Sequence, residues 1–305
     1  MKNFKDFIIF CFLLLFVILI FKYNTIVNDS VISAVYLWLY KVFPSLFIMF
    51  ILNEIIIKTN ILYNISIIIN PLFNKMFNTS NNSFEAFLLS VFSGTPSSAF
   101  ILKEMINNNK IDIDSANKLI SFTYFSNPLF LYNILSITFN KCITIKIIII
   151  HYLSNIIIGL ILRKNNNSKN YDIKYINHNI SIIKIIPTAI KNSINTLLMI
   201  LGTIVFYMIL TNILLKILNL NIILSIILKG FFEITQSLNI LNILNTSSII
   251  KEIIAISIIS FGGLSIHTQV LSLIDNTNIY YKNFLIGRIL HVLISTFTYL
   301  MCSIC

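Results

Sequence analysis

The run Ser260-Phe261-Gly262-Gly263-Leu264-Ser265-Ile266-His267-Thr268-Gln269-Val270 places paired glycines and four polar side chains between two oily segments, residues 249–259 and 264–274. Hydrocarbon offers no hydrogen bonds, so non-helical backbone survives at membrane depth only where protein or trapped water satisfies it. The run therefore predicts a broken helix lining a site, with Ser265, His267, Thr268 and Gln269 as its polar partners. The competing reading is a polar loop at the membrane surface, since Gly and Ser also mark ordinary turns.

The lipid setting follows from composition. Hydrophobic residues make up 57% of the 305-residue chain and charged residues 11%, with a mean hydropathy of +0.87. Soluble domains carry about 25% charged residues. At about 20 apolar residues per crossing, the expected fold class is an all-α polytopic membrane protein of about 8–10 membrane segments, some re-entrant or broken. The formal charge of +11 comes from 22 basic residues, nearly all lysine, spread singly between apolar runs. That spacing excludes a basic nucleic-acid face. It fits topology instead, because Lys and Arg near segment ends gather on the cytoplasmic side. Cys11, Cys142, Cys302 and Cys305 show no ligand spacing with histidines, and the terminal Cys302-x-x-Cys305 reads as small apolar residues at a helix end. No metal or cofactor is expected. Abundant Ile, Asn and Lys read as AT-rich codon usage, so the asparagines carry no structural expectation.

Residues 7–21 form an uninterrupted apolar run after Lys2 and Lys5, and the following Lys22-Tyr23-Asn24-Thr25 lacks the small residues of a signal cleavage site. A retained helix with a cytoplasmic N-terminus is expected, within an N-terminal unit of residues 1–30. Residues 31–57 make a long segment kinked at Pro44, and 61–73 a shorter one broken at Asn70-Pro71 and placed at the interface. Residues 84–92 are too few to span about 30 Å as a helix. They run into Ser93-Gly94-Thr95-Pro96-Ser97-Ser98 before the chain turns apolar again over 99–106, the pattern of a re-entrant hairpin. Ser126-Asn127-Pro128 interrupts a further pair of segments, and 143–162 reads as a clean span.

Residues 163–191 are the main hydrophilic connection, carrying Arg163, Lys164, Lys169, Lys174, Lys184 and Lys191 against Asp172 alone. The positive-inside rule makes this loop cytoplasmic, with His178 solvated in it. The loop is the expected seam between two structural halves, 31–162 and 192–305. In the second half a long segment over 193–218, a shorter one over 222–235, the Gly262-Gly263 break and a final helix over 280–301 repeat the pattern. Each half holds an intramembrane glutamate followed by a glycine-centred break: Glu54 with Gly94, and Glu233 with Gly262-Gly263. Secondary transporters are duplicated in this way, and their interrupted segments meet near the bilayer midplane.

A carboxylate at a helix centre costs roughly 2.5–3.5 kcal/mol on the insertion scale, which makes Glu54 and Glu233 candidates for holding a proton, cation or polar substrate. The plainer alternative for each is an ion pair four residues away, Glu54 with Lys58 and Glu233 with Lys229. His267, just after the break, can donate, accept and titrate. Thr95, Gly94 and Asn127 in the first half and Gly262, Gly263 and Gln269 in the second complete the expected site. Arg288 is expected to snorkel to the interface or approach a carboxylate, and His291 and His151 to make single interhelical hydrogen bonds. P-loop, GxSxG, HExxH and GxGxxG patterns are absent, and no enzyme activity is expected.

Ser93-Gly94-Thr95-Pro96, Ser126-Asn127-Pro128-Leu129-Phe130, Ser193-Ile194-Asn195-Thr196, Gly230-Phe231-Phe232-Glu233-Ile234-Thr235 and the 260–270 run together resemble the sporulation integral membrane protein family YlbJ. That family belongs to a wider group with the nucleoside-recognition or "Gate" domain, found also in concentrative nucleoside transporters and ferrous-iron transporters. The resemblance extends from near Phe43 to near His291. It implies two inverted Gate-like halves in a multi-pass protein made during sporulation, needed for the spore cortex, and resident in the mother-cell or outer forespore membrane. Ser97-Ser98-Ala99-Phe100 departs from the family, where a Val-Gly-Ala-Lys run is expected. The expected function is a transporter or channel for a small polar solute or ion. Its expected partners are the lipid bilayer and either a second copy or other sporulation membrane proteins. The alternative is a non-transporting membrane scaffold for the sporulation machinery.

Overall fold

The computed structural model describes residues 2–80, 82–163 and 182–304, and every regular element among them is a helix. The Ile- and Phe-rich runs have the residue types of strands, but a lipid-facing segment must satisfy its backbone within itself, and a helix does so without leaving an edge. The first apolar run is α1 (Lys2–Lys22). Next, α2 (Asn24–Leu37) passes through a π-helical turn, Trp38–Val42, into α3 (Phe43–Thr59). Phe43 donates to the carbonyl of Trp38, five residues back, so the widened turn falls just before Pro44, which has no N–H to give.

α4 (Tyr63–Phe77) keeps Pro71 inside the helix, so Asn70-Pro71 does not break this segment as the sequence predicts. The Asn70 side-chain oxygen accepts the backbone N–H of Phe84 and fastens α4 to the start of α5 (Ser83–Ser93). α5 and α6 (Ser97–Asn107) are the two arms of the predicted hairpin. Each has 11 residues, which rise about 16 Å, half the hydrocarbon thickness. A second broken pair follows, α7 (Ile113–Phe122) and α8 (Pro128–Leu135), joined by the non-helical stretch 123–127; α9 (Lys141–Ile161) then spans.

The second half opens with α10 (Ile182–Leu218). Lys184 and Lys191 therefore stand on a helix and not in the loop predicted over 163–191, because the isoleucine-rich run from Ile182 already belongs to the membrane segment. Lys164, Lys169, Asp172, Lys174 and His178 lie outside the described residues. α11 (Ile222–Phe232) and α12 (Ile234–Ile240) form a third broken pair, α13 (Ser248–Phe261) and α14 (Gly263–Ile274) a fourth, and α15 (Tyr281–Ile304) closes the fold. Five stretches among the described residues are long and apolar enough to cross a membrane: Asn24–Thr59, Lys141–Ile161, Ile183–Leu218, Ser248–Ile274 and Tyr281–Ser303. The protein is an all-α polytopic membrane protein whose remaining helices are short or terminal.

One order of elements occurs twice if α1 and α4 are set aside. A long helix, two broken pairs and a spanning helix occur as α2–α3, α5–α6, α7–α8, α9 and again as α10, α11–α12, α13–α14, α15. This order matches the Gly94 break to the break at Glu233, and the 123–127 break to Gly262-Gly263, one step from the glutamate-and-glycine pairing read in the sequence. The two closing helices run antiparallel, with Lys146 of α9 at the Cys302 carbonyl and Ser303 hydroxyl of α15, and Asn155 at Arg288. Asparagine also has a structural use that codon bias hides. Asn60, Asn78, Asn82, Asn109, Asn219 and Asn276 all take positive φ, and they are the described non-glycine residues that do so. Asn tolerates the left-handed region at helix ends.

Candidate functional site

The chain breaks are built against one another. Gly94 has φ +74°, and a Cβ there would strike the backbone of Asn127. That closeness lets Thr95 N–H donate to the Phe125 carbonyl at 2.7 Å while Asn127 Nδ2 donates to the Phe92 carbonyl at 3.1 Å. On the other side of the 123–127 stretch, Gly262 has φ +92°, and a Cβ there would meet the Tyr124 hydroxyl. Gly263 lies against the carbonyls of Gly230 and Phe232, which end α11. The stretch 123–127 thus sits between the two glycine breaks, and the second of these stacks on the break at Glu233.

A cavity of about 50 Å³ opens where they meet. Thr95, Ser126, Asn127, Glu233, Thr235 and Gln269 supply its polar wall, and the α2–α3 helix and α10 supply an apolar one that includes Leu46 and Ile204. Four of the nine residues predicted for the site, Thr95, Asn127, Glu233 and Gln269, therefore share one space. Glu233 is not in mid-helix: its backbone is extended (φ −146°, ψ 114°) and it is the N-cap of α12. One carboxylate oxygen accepts from the Thr235 N–H at 3.0 Å and from the Thr235 hydroxyl at 2.8 Å. Gln269 Nε2 donates to Ser265 one turn back on α14 at 3.2 Å and to Thr203 of α10 at 2.7 Å.

Glu233 is 2% exposed, and among the described residues no lysine, arginine or histidine lies within ion-pair distance of it. Lys229 meets it through the backbone alone, its carbonyl accepting the Glu233 N–H. Other buried glutamates are matched: Glu85 with Lys110 at 3.4 Å, and Glu252 with the hydroxyls of Ser248 and Tyr299. Glu54 pairs with Lys58 at 2.6 Å and lines a separate small cavity. His267 does not reach the Glu233 cavity. Its Nδ1 meets the Tyr281 hydroxyl at 2.7 Å and its Nε2 the Phe261 carbonyl at 3.1 Å, within a ring cluster that includes Phe284. Gly94, Gly262 and Gly263 contribute backbone shape.

The residue that sequence reasoning underrated is Arg288. It is fully buried, does not snorkel, and meets no carboxylate among the described residues. Its guanidinium donates to the carbonyls of Ser121 and Ser260 at 3.2 and 3.4 Å and to Asn155 Oδ1 at 3.2 Å, and it lies 3.9 Å from the centre of the Tyr124 ring. Ser121 and Ser260 are in the last turns of α7 and α13, the half-helices that lead into two of the breaks. Helix C-termini carry unpaired carbonyls and the negative end of the macrodipole, so two of them together approach one compensating charge. Arg288 also donates to His291 Nδ1 at 2.7 Å. That fixes the His291 proton on Nε2, which donates to the His151 carbonyl at 3.0 Å. The missed signal was choice of residue. Arg288 is one of two arginines in a chain that otherwise uses lysine, and the planar guanidinium reaches two carbonyls where an ammonium cannot.

Membrane-length helices folded around a polar cavity at crossed chain breaks define a polytopic integral membrane protein with an internal site. The chain is 27% identical over 294 residues to the Sporulation integral membrane protein YlbJ of Bacillus subtilis (strain 168), a match covering 83% of this chain and 72% of that protein. This similarity supports the resemblance to the YlbJ family and, with it, the class of sporulation integral membrane proteins. Membership of the wider Gate group remains an expectation from the motifs. No protein-family profile matches the chain, and no solved structure matches it.

Proposed function

We propose that this protein is a transporter or channel for a small polar solute or ion, that it acts during sporulation in the mother-cell or outer forespore membrane, and that spore cortex formation depends on it. Glu233 is the group that holds a proton or cation. One observation carries this reading: a buried carboxylate without a basic partner among the described residues faces a cavity formed where chain breaks cross. A carboxylate in that position is expensive, and the Thr235 contacts satisfy one of its oxygens. Broken helices that meet inside a bundle are the setting in which secondary transporters bind solute and ion, with access alternating as one half rocks on the other. The relative's name supplies the sporulation context.

Glu233→Gln in the sporulating host is the decisive variant. Glutamine keeps the side-chain oxygen that caps α12 and removes only the charge, so capping and ion holding are separated. Spores that lose heat resistance while the membrane holds the normal amount of protein are expected. Heat-resistant spores from this variant would overturn the reading and favour a scaffold.

A further inference from the structure

Three cavities lie in series along the seam between the α2–α3 helix and α10. On the α2–α3 helix, Leu37 and Lys41 wall the first, Val42 and Leu46 the Glu233 cavity, and Phe50, Asn53 and Glu54 the third; Lys58 follows one turn later. α10 passes in the opposite direction, presenting Met208 and Asn212, then Ile204 and Ile200, then Thr196, Ser193 and Asn192, and finally Thr188. The first cavity is about 480 Å³, while the one at Glu54 is about 20 Å³. The seam is therefore wide towards the α2 end and narrow at Glu54, near where α10 begins.

The narrow end is polar. Asn53 Nδ2 and Ser193 Oγ line the Glu54 cavity without a hydrogen-bond partner, in residues that are 5% and 3% exposed. Unpartnered buried polar atoms lining a cavity call for water or an ion. Glu54 Oε1 accepts the Lys58 ammonium at 2.6 Å and Asn192 Nδ2 at 2.8 Å. Lys58 also reaches Thr188 at 3.2 Å, and its side chain remains 37% exposed, so it can swing away into solvent.

Resting on the transport reading above, we propose that Glu54 is a second cation-holding position on one path with Glu233 and that Lys58 is the latch closing it. The Lys58 ammonium occupies the place that a monovalent cation takes when the path opens at that end. From Leu46 to Glu54 the helix rises about 12 Å. Buried Leu46, Phe50, Leu197 and Ile200 form an apolar layer between the two positions, the kind of constriction that gates by excluding water.

The test uses the full chain in membrane vesicles, with Cys11, Cys142, Cys302 and Cys305 replaced by serine and a single Ser193→Cys. The probe is a positively charged methanethiosulfonate added from the Lys58 side. Ser193→Cys is expected to react, and Lys58→Ala to speed the reaction about fivefold, the population shift that loss of a half-exposed ion pair produces. Leu198→Cys, on the lipid-facing side of the same helix, controls for general loosening and should stay unreactive. Equal inertness of the two cysteines overturns the path, and a Ser193→Cys rate indifferent to Lys58 overturns the latch. Labelling that depends on Lys58, combined with normal spores from Glu233→Gln, would leave the latch standing and remove the Glu233 reading instead.

Discussion

Arg288 and Glu233 are both charges withdrawn from water beside helix breaks, and the protein treats them in opposite ways. Arg288 is enclosed by acceptors: two helix-end carbonyls, an asparagine oxygen, a histidine nitrogen and the face of a tyrosine ring. Every neighbour is fixed, and close approach secures the geometry, since Gly287 lies hard against the Ser121 carbonyl. Glu233 has one oxygen tied to Thr235 of its own helix, the Ser265 hydroxyl of α14 beside its carboxylate, and a cavity in front of it. Only Nε of Arg288 lacks a partner among the described residues, and a buried charge whose two terminal nitrogens are both held by fixed acceptors holds a structure together. One whose surroundings are incomplete and open onto a cavity is poised to take a ligand. On the reading proposed above, the same fold contains a structural charge and a functional one, separable by what lies beside each and not by how deeply each is buried.

The largest effect expected is that of Arg288→Met. Removing the guanidinium leaves the carbonyls of Ser121 and Ser260 and the Asn155 oxygen without their donor, a loss of about 3 kcal/mol or more. Thermal aggregation of detergent extracts should begin far earlier, and the amount of protein in the membrane should fall. Normal accumulation of Arg288→Met would collapse the contrast, since both charges would then be dispensable to the fold. Gly262→Ala comes next. A left-handed residue other than glycine costs about 1–2 kcal/mol, and overpacking against the Tyr124 hydroxyl adds about 1–3 kcal/mol. Tyr124→Phe removes the atom that is struck, so the double variant should recover the packing part and leave the backbone part, which a double-mutant cycle reads directly.

Much of this was legible in the sequence because hydrocarbon permits few solutions. Apolar length gave the spans, and Gly-Thr-Pro, Ser-Asn-Pro or Gly-Gly between short segments marked three of the four breaks. The break at Glu233 was hidden because Phe232, Glu233 and Ile234 contain no glycine or proline. Its signal is the capping pair Glu233 and Thr235, which a helical reading of 222–235 passes over. The sequence brought Thr95, Asn127, Glu233 and Gln269 together by supposing that the breaks meet. It misplaced His267, because residues two apart on a helix point to different sides, and Gln269 claims the cavity face. Arg288 escaped because two of its partners are backbone carbonyls, which leave no trace in residue type, and Asn155 is 133 residues away in the sequence.

His267 provides the smallest and sharpest check on the contrast. Its Nε2 faces the Phe261 carbonyl and so carries the proton, while Nδ1 accepts from Tyr281. In this arrangement it ties off the C-terminal end of α13 much as Arg288 does, but as a neutral ring. His267→Phe preserves the ring contacts with Phe261 and Phe284 and deletes both hydrogen bonds. The expected loss is about 1–2 kcal/mol, measurable as a modest fall in the aggregation midpoint, with spores that retain heat resistance. Glu233→Gln should show the reverse, an unchanged midpoint and defective spores. If His267→Phe instead abolished heat resistance at an unchanged midpoint, the functional region would have to extend through the Gly262-Gly263 break to the aromatic side of α14, and cavity contact would no longer separate functional from structural polar groups.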